Sequence, residues 1–338
     1  MFSIKVVEPY QTLVVDEPIP VISNPDEVLI KVTSGGICGS DIGIWNGTNA
    51  LATYPRIIGH EFGGIIKGLG DGVKDFKVGD KVAVDPVVSC GSCYACTHDN
   101  HNVCDKLEVI GVHRDGGFRE YITVNKSNVH LLKQEFDVSL LSLVEPYSIG
   151  YEINERGRTK KGENVLILGA GPIGITTMQV AKMKGANVII TDILPKRLDK
   201  AKEMGADFTV LVTNQDLNKE IKKTTGNDGI HVIVDTVCVP KTFEQCIQLA
   251  DPGTRVVVIG LKNEPSNIKM VDITKKGIEI IGSRLNKKRF DDVIKGFESG
   301  QLHPEQLMTH QFDYTQILDA LELITQHPEE VLKVVINF

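Results

Sequence analysis

The sequence contains no run of about 18 apolar residues, the length at which a stretch reads as a membrane span. Its first residues, Met1-Phe-Ser-Ile-Lys-Val-Val-Glu8, lack the basic start and apolar stretch of a secretory signal, so a cytoplasmic location is expected. There is no basic block either. Lysine and arginine total 37 against 44 aspartate and glutamate, a formal net charge of −7, which argues against nucleic acid as a partner. No internal repeat and no low-complexity segment is visible. What remains is 338 residues, 41% hydrophobic, too long for one ordinary core and sufficient for two.

The most informative stretch is Val165-Leu-Ile-Leu-Gly169-Ala-Gly171-Pro172-Ile173-Gly174. Four apolar residues read as a strand buried on both faces. The G-x-G-x-x-G spacing then assigns each glycine a task. Gly169 allows the tight turn, Gly171 lets backbone approach a pyrophosphate, and Gly174 lets the next helix pack against the sheet. That helix, expected over 172–184 and opened by Pro172 and Ile173, aims its first N–H groups at the phosphates. A second strand, 187–191, ends in Asp192, 23 residues after Gly169 and near the offset of a ribose-binding carboxylate. Lys196 and Arg197 lie close by at a helix start. The stretch therefore predicts a dinucleotide site.

Along the chain, residues 1–150 read as β-rich and turn-dense, with alternating strands at 27–33 and 78–84 and a glycine-rich passage at 59–72. From about 162 the texture changes. Strands at 208–212, 231–235, 255–260 and 278–282 alternate with amphipathic stretches, the signature of a parallel sheet. Helices are expected around 287–299 and 314–326, and a closing strand over 331–336.

Seven cysteines are present. Four of them, Cys90, Cys93, Cys96 and Cys104, form a C-x₂-C-x₂-C-x₇-C cluster that in a cytosolic chain points to metal rather than disulfides. Four thiolates suit a closed, structural zinc site. An iron–sulfur run would have a shorter last gap followed by proline, whereas here Asp105 follows Cys104. Cys238 and Cys246 lack such neighbours and read as buried or half-buried thiols. Upstream, Gly36-Ile-Cys38-Gly-Ser40-Asp41 is followed by Gly59-His60-Glu61. Cysteine, histidine and glutamate can all ligate zinc, and three protein ligands with an open position is the catalytic arrangement. From spacing alone, a core thiol and a satisfied histidine remain equally open.

Together, Gly36-Ile-Cys38-Gly-Ser40-Asp41, Gly59-His60-Glu61-Phe-Gly63, the four-cysteine lobe and the dinucleotide turn resemble the zinc-dependent medium-chain dehydrogenases, which include alcohol, sorbitol and threonine dehydrogenases. The resemblance covers essentially the whole chain in the family's order. It implies an α/β two-domain fold: a GroES-like, β-rich catalytic domain over 1–149, a Rossmann doubly wound parallel sheet over 150–285, and a return to the catalytic domain over 286–338. It implies two zinc ions per chain, NAD as cofactor, a small-molecule substrate and a homodimer or homotetramer. Cys38 and His60 match zinc ligands. Glu61 matches a ligand in sorbitol dehydrogenase and a near neighbour of the metal in alcohol dehydrogenases. Glu145 stands where alcohol dehydrogenases place a second zinc cysteine, and is either a direct ligand or the holder of zinc-bound water. Asp41 resembles the carboxylate that orients the zinc histidine.

The chemistry implied is Lewis-acid activation of a substrate hydroxyl and hydride transfer to nicotinamide, with Ser40 passing the hydroxyl proton outward. Where many relatives continue the relay with a histidine, this chain has Gly43, so the relay ends either in water or in a ribose hydroxyl. Asp192 favours NAD over NADP by repelling a 2′-phosphate. The Cys90 and 111–118 stretches and Gly282-Ser-Arg284-Leu-Asn286 resemble the L-gulonate and L-galactonate 5-dehydrogenases. They point to a hexonate whose carboxylate is held by Arg284 with help from Asn286 or His113. Sorbitol or another polyol, or L-threonine, is the runner-up substrate. A non-catalytic redox sensor that binds the dinucleotide without turnover is the rival from another class.

Overall fold

The computed structural model describes Met1–Phe338, and the chain divides into two compact units. The first comprises Met1–Glu145, Phe290–Gly300 and Pro304–Phe338. The second comprises Pro146–Arg289 and Gln301–His303. None of the helices is long and apolar enough to cross a membrane.

In the first unit, β1 (Phe2–Glu8) and β2 (Gln11–Asp16) form a hairpin, which the sequence reading had not anticipated. β3 (Glu27–Gly36) follows, then the short helix α1 (Gly39–Trp45), β4 (Arg56–Ile57), β5 (Glu61–Leu69) and β6 (Lys81–Val84). β4 joins β1 to complete a small three-stranded sheet. A two-stranded ladder, β7 (Val87–Val88) with β8 (Glu108–Val109), brackets the one-turn helix α2 (Tyr94–Thr97) of the cysteine lobe. β9 (Tyr121–Asn125) and β10 (Val129–Leu132) complete the N-terminal part.

β3 organises this unit. Its alternation of buried and half-buried residues is that of a strand with one face in the core. Val28, Ile30 and Val32 meet Phe62 and Ile66 of β5, Val82 and Val84 of β6, and Ile122 and Val124 of β9. The expected strand over 78–84 starts only at Lys81, because Asp80 turns back to accept the Lys77 N–H at 2.9 Å.

The second unit opens within α3 (Val144–Arg156), the helix that also carries Glu145. Six parallel strands follow: β11 (Asn164–Leu168), β12 (Asn187–Asp192), β13 (Phe208–Leu211), β14 (Val232–Asp235), β15 (Arg255–Val258) and β16 (Glu279–Gly282). Their order, β13-β12-β11-β14-β15-β16, is that of a doubly wound sheet, with the first strand central and the chain wound outward on both sides. All five residues of β11 are buried, as the apolar run Val165–Leu168 requires, and the Asn164 side chain donates to Asp228 and to the Gly229 carbonyl oxygen. Helices α4 (Pro172–Met183), α5 (Pro195–Glu203), α6 (Leu217–Thr225), α7 (Pro240–Leu249) and α8 (Met270–Thr274) make the connections.

The chain then returns to the first unit through α9 (Phe290–Glu298), α10 (Pro304–Leu307), β17 (Met308–Asp313), α11 (Ile317–Gln326) and β18 (Lys333–Asn337). The helix expected from 287 begins only at Phe290. Leu285 and Lys288 sit at φ 50° and 56°, in the left-handed region that an α-helix cannot contain. The helix expected from 314 begins at Ile317, after a single turn that Asp313 caps by accepting the Thr315 N–H. β17 was not foreseen. It pairs parallel with β18, which in turn pairs antiparallel with the C-terminal half of β3. The seven-stranded sheet thus runs β10-β6-β5-β3-β18-β17, with β9 on the N-terminal half of β3.

Candidate active site

Pairing of β3 with β5 sets Gly36 opposite Glu61, and pairing with β18 sets Gly36 opposite Val335. Cys38 leaves the end of β3, and His60 and Glu61 stand at the start of β5. Two residues 22 apart in sequence are thereby adjacent. Asp41, fully buried, ties the two loops together. Its Oδ2 accepts the Cys38 N–H at 2.9 Å, its Oδ1 accepts the Gly59 N–H at 3.1 Å, and Oδ1 lies 3.4 Å from His60 Nδ1. His60 Nε2 points the other way, 3.4 Å from Ser40 Oγ. The thiol of Cys38, a ring nitrogen of His60 and a carboxylate oxygen of Glu61 all lie within 4.8 Å of one another.

The electrostatics describe a site that wants a cation. Burial opposes protonation of His60. The Asp41 carboxylate and the Cys38 thiol outweigh it and hold the imidazole well above its ordinary range. Glu145, buried on the first turn of α3, is pushed up to about 8 by burial. The charges of His60 and Lys333 oppose that rise, and the charge of Glu61 adds to it. Zinc bonds of about 2.0–2.3 Å around a tetrahedron separate donors by roughly 3.3–3.8 Å, so the three converging donors fit such an ion after small side-chain adjustments. The mutually close set is Cys38, His60 and Glu61; Glu145 reaches it through its field.

The second cysteine set is more regular. The sulfurs of Cys90 and Cys96 are 4.0 Å apart and those of Cys93 and Cys104 are 3.8 Å apart, close to the edge of a tetrahedron around zinc. All seven cysteines are free thiols. Backbone N–H groups of Ser92 and Cys93 pull the Cys90 thiol down to about 6, while burial and the neighbouring thiols push Cys96 up to about 11. Four thiols converging at this spacing could hold a metal ion.

In the second unit, Gly169 sits at φ 99°, a conformation that a side chain would strain. A Cβ on Gly174 would stand 1.9 Å from the Gly169 carbonyl oxygen, so helix and turn could not close. In front of Gly171 the space is open; its nearest neighbour there is Arg197 Nη1, 3.9 Å from the position of a Cβ. Pro172, Ile173 and Gly174 form the first turn of α4. Asp192 ends β12 with both carboxylate oxygens held, one by the Ala170 N–H at 2.8 Å and one by the Leu194 N–H at 2.9 Å. The turn, the acid and one guanidinium are therefore together.

The substrate candidates are more scattered. His113 belongs to the first unit and accepts the Val109 N–H through Nδ1. The glycines around it pack on the His60 loop: a Cβ on Gly111 or Gly116 would strike the Gly59 carbonyl oxygen. Arg284 and Asn286 belong to the second unit. Arg284 is half-buried; Asn286 is fully buried and its Oδ1 accepts the Arg289 N–H.

Two residues escaped the sequence reading. Lys333 on β18 places Nζ 2.7 and 2.8 Å from the two oxygens of Glu61. Gly36 makes room for that carboxylate: a Cβ there would lie 2.3 Å from Glu61 Oε2. The one signal available was the Gly35-Gly36 pair immediately before Ile37-Cys38.

Comparison with known proteins decides the family. Residues 24–134 match the alcohol dehydrogenase GroES-like domain, and residues 172–299 match the zinc-binding dehydrogenase domain. The starvation-sensing protein RspB of Escherichia coli K12 is 41% identical over all of this chain and 99% of its own length. The chain belongs to the zinc-dependent medium-chain dehydrogenases. Sorbitol dehydrogenase of Bacillus subtilis is 35% identical to this dehydrogenase, covering 94% of it and 92% of the relative. L-galactonate-5-dehydrogenase of E. coli K12 is 33% identical, covering 95% and 94%. Among solved structures, the rspB alcohol dehydrogenase of E. coli CFT073 in complex with NADH superposes with a TM-score of 0.95 at 39% identity, covering 100% of this dehydrogenase and 99% of the other chain.

Proposed function

We propose that this dehydrogenase oxidises a secondary hydroxyl of a sugar acid, a hexonate such as L-gulonate or L-galactonate, reversibly to the ketone with NAD. The observation that carries the reading is the convergence of half-buried Cys38 with buried His60 and Glu61 in a chain that also presents a complete dinucleotide turn. When bound to that set, zinc supplies Lewis-acid stabilisation of the negative charge that develops on the alcohol oxygen. Asp41 fixes the tautomer and direction of His60 by facing its Nδ1. Ser40 receives the hydroxyl proton and passes it outward, ending in water or a ribose hydroxyl because Gly43 offers no side chain. Glu145 either joins the ligands or holds the water that substrate displaces. The four cysteines of the lobe hold a second, structural zinc.

In this reading 1–149 and 286–338 serve catalysis and 150–285 serves the dinucleotide. Gly171 leaves room for the pyrophosphate, Arg197 supplies charge beside it, and Asp192 takes the adenosine ribose. Arg284 pairs with the hexonate carboxylate, assisted by Asn286 or His113. A cytoplasmic homodimer or homotetramer completes the proposal. NADH bound in the rspB structure supports NAD. The sorbitol dehydrogenase relative supports a second reading, in which a neutral polyol is the substrate.

The test mixes zinc-loaded protein with NAD and L-gulonate, L-galactonate, sorbitol or L-threonine, and follows reduced nicotinamide by absorbance. Hexonates should have the highest kcat/KM. Arg284→Ala should cost them on the order of 2–5 kcal/mol of transition-state stabilisation, the scale for one partner of a buried charge pair, and sorbitol far less. Good oxidation of sorbitol or threonine with none of the hexonates refutes the assignment in favour of the second reading, and turnover of nothing returns the redox-sensor reading. Asp192→Ala should narrow the preference for NAD over NADP; equal efficiency of the native protein with both would refute the ribose role.

A further inference from the structure

Arg284 lies in a segment that does not hold its own shape. Between the end of β16 and the start of α9, Leu285 and Lys288 both take left-handed backbone angles, φ 50° and 56°. Neither is glycine, so each is strained. Two such residues this close together persist only where the surroundings over-determine them.

Those surroundings are one face of α3. Arg156 donates from Nε to the Gly282 carbonyl oxygen at 3.0 Å and so holds the segment where it leaves the sheet. One turn earlier on the same face, Glu152 Oε2 accepts from Arg289 Nε at 2.8 Å and holds the segment where it enters α9. Glu155 stands 3.9 Å from Arg289 Nη2, and the Arg289 guanidinium lies 5.9 Å from the centre of the Tyr151 ring. Within the segment, the Ser283 N–H donates to the Val258 carbonyl oxygen, and buried Asn286 accepts the Arg289 N–H at 3.3 Å. Both ends are pinned, and the strained residues lie between them.

The two grips differ. Arg156 is exposed, whereas the Glu152 side chain is only 2% exposed. A carboxylate at that depth is costly unless it is paired and hydrogen-bonded. An apolar pair of similar size would hold helix and segment together at no greater cost. What a carboxylate and a guanidinium add is direction, because the planar fork of an arginine accepts its partner in few orientations.

We propose that Glu152 and Arg289 are positioning residues: together they lock 283–288 in its strained form and so present the Arg284 guanidinium in one place to the carboxylate of the substrate. The inference deepens the hexonate reading and rests on it. An anchor already held in place has given up its freedom before substrate arrives. The benefit therefore lies in binding the anion, in KM rather than kcat.

The experiment uses the full, zinc-loaded chain. It follows amide exchange across 283–288, and kcat and KM for L-gulonate and L-galactonate with NAD. In Glu152→Gln, exchange there should quicken about tenfold and KM should rise about tenfold, the scale of one long side chain set free, with kcat within about twofold of native. Arg289→Gln should do the same; its side chain reaches solvent, so it carries the comparison if Glu152→Gln does not fold. The double variant should be no worse than the worse single one, because both remove the same contact. Arg289→Lys, which keeps the charge, should bring KM back to within about threefold of native. Unchanged KM in a folded variant overturns the proposal even where exchange quickens, since the pair then serves the fold alone. Losses that multiply in the double variant overturn it too. A native protein that oxidises sorbitol and no hexonate refutes the hexonate reading and this inference with it. Native hexonate turnover with KM indifferent to positions 152 and 289 overturns the inference alone.

Discussion

The dehydrogenase contains two clusters of side chains that could hold a metal ion, built on opposite plans. The four cysteines of the lobe come from one 15-residue segment, 90–104, folded around the β7–β8 ladder and the single turn of α2. The Cys38 site draws on the end of β3, the start of β5, the first turn of α3 and the last strand of the chain. The first is closed and made of four like donors. The second mixes thiol, imidazole and carboxylate, and shares one donor with a lysine. A local site of identical ligands holds a metal for shape. A site assembled over long range can leave a position unfilled, because its geometry is set by a sheet rather than by the ion.

The strongest way to break this contrast is metal removal. Mild chelation should take the total from two zincs to one, abolish turnover and leave the fold intact, because the open site loses its ion first. Elemental analysis beside circular dichroism checks it; loss of both ions at one rate would erase the distinction.

A smaller effect should separate two glycine substitutions. Gly36→Ala drives a methyl to 2.3 Å from Glu61 Oε2, so the carboxylate must shift from its place against Lys333. The expected loss is on the order of 100-fold in kcat/KM together with about 1–3 kcal/mol of stability, the usual cost of overpacking. Gly91→Ala in the lobe meets no neighbour and bears only the strain of its φ of 72°, about 1–2 kcal/mol, with activity within twofold of native. Equal effects on activity would show that the Cys38 site tolerates displacement of Glu61.

The smallest effect is a pH slope. In the metal-stripped chain Glu145 is raised to about 8 from 4.5, so the folded state binds a proton that the unfolded state has released. Stability should therefore fall as pH rises from about 4.5 towards 8, by at most about 1.4 kcal/mol per pH unit for one group. Denaturant melts across this range should show the slope flatten in Glu145→Gln. An unchanged slope would mean that another group carries it.

How much of this was legible depends on distance along the chain. The cysteine lobe and the turn from Gly169 to Gly174 are short-range patterns whose spacing is their geometry. The doubly wound sheet was legible because its central strands, β11, β12 and β14, are buried on both faces and stand out as apolar runs. Cys38, His60 and Glu61 could be picked out one by one. Their convergence depends on Gly36 pairing with Glu61, which no periodicity reveals. Lys333 was invisible for the same reason. In sequence it is the single charge in the apolar run Val-Leu-Lys-Val-Val-Ile, and nothing local names its partner; the insertion of β18 between β3 and β17 brings it to Glu61. β17 itself, Met-Thr-His-Gln-Phe-Asp, is too polar to announce a strand and exists because β18 offers it an edge.

The position of Lys333, 272 residues after Glu61, has a consequence for biosynthesis. On the ribosome, the cysteine lobe has all its donors almost as soon as Cys104 emerges. Glu61 must wait for more than two hundred further residues before its buried counter-charge is made. Until β18 is made, that carboxylate is unbalanced and β3 has an open edge. Completion of the Cys38 site therefore waits on a strand far along the chain, whereas the cysteine lobe needs only its own segment.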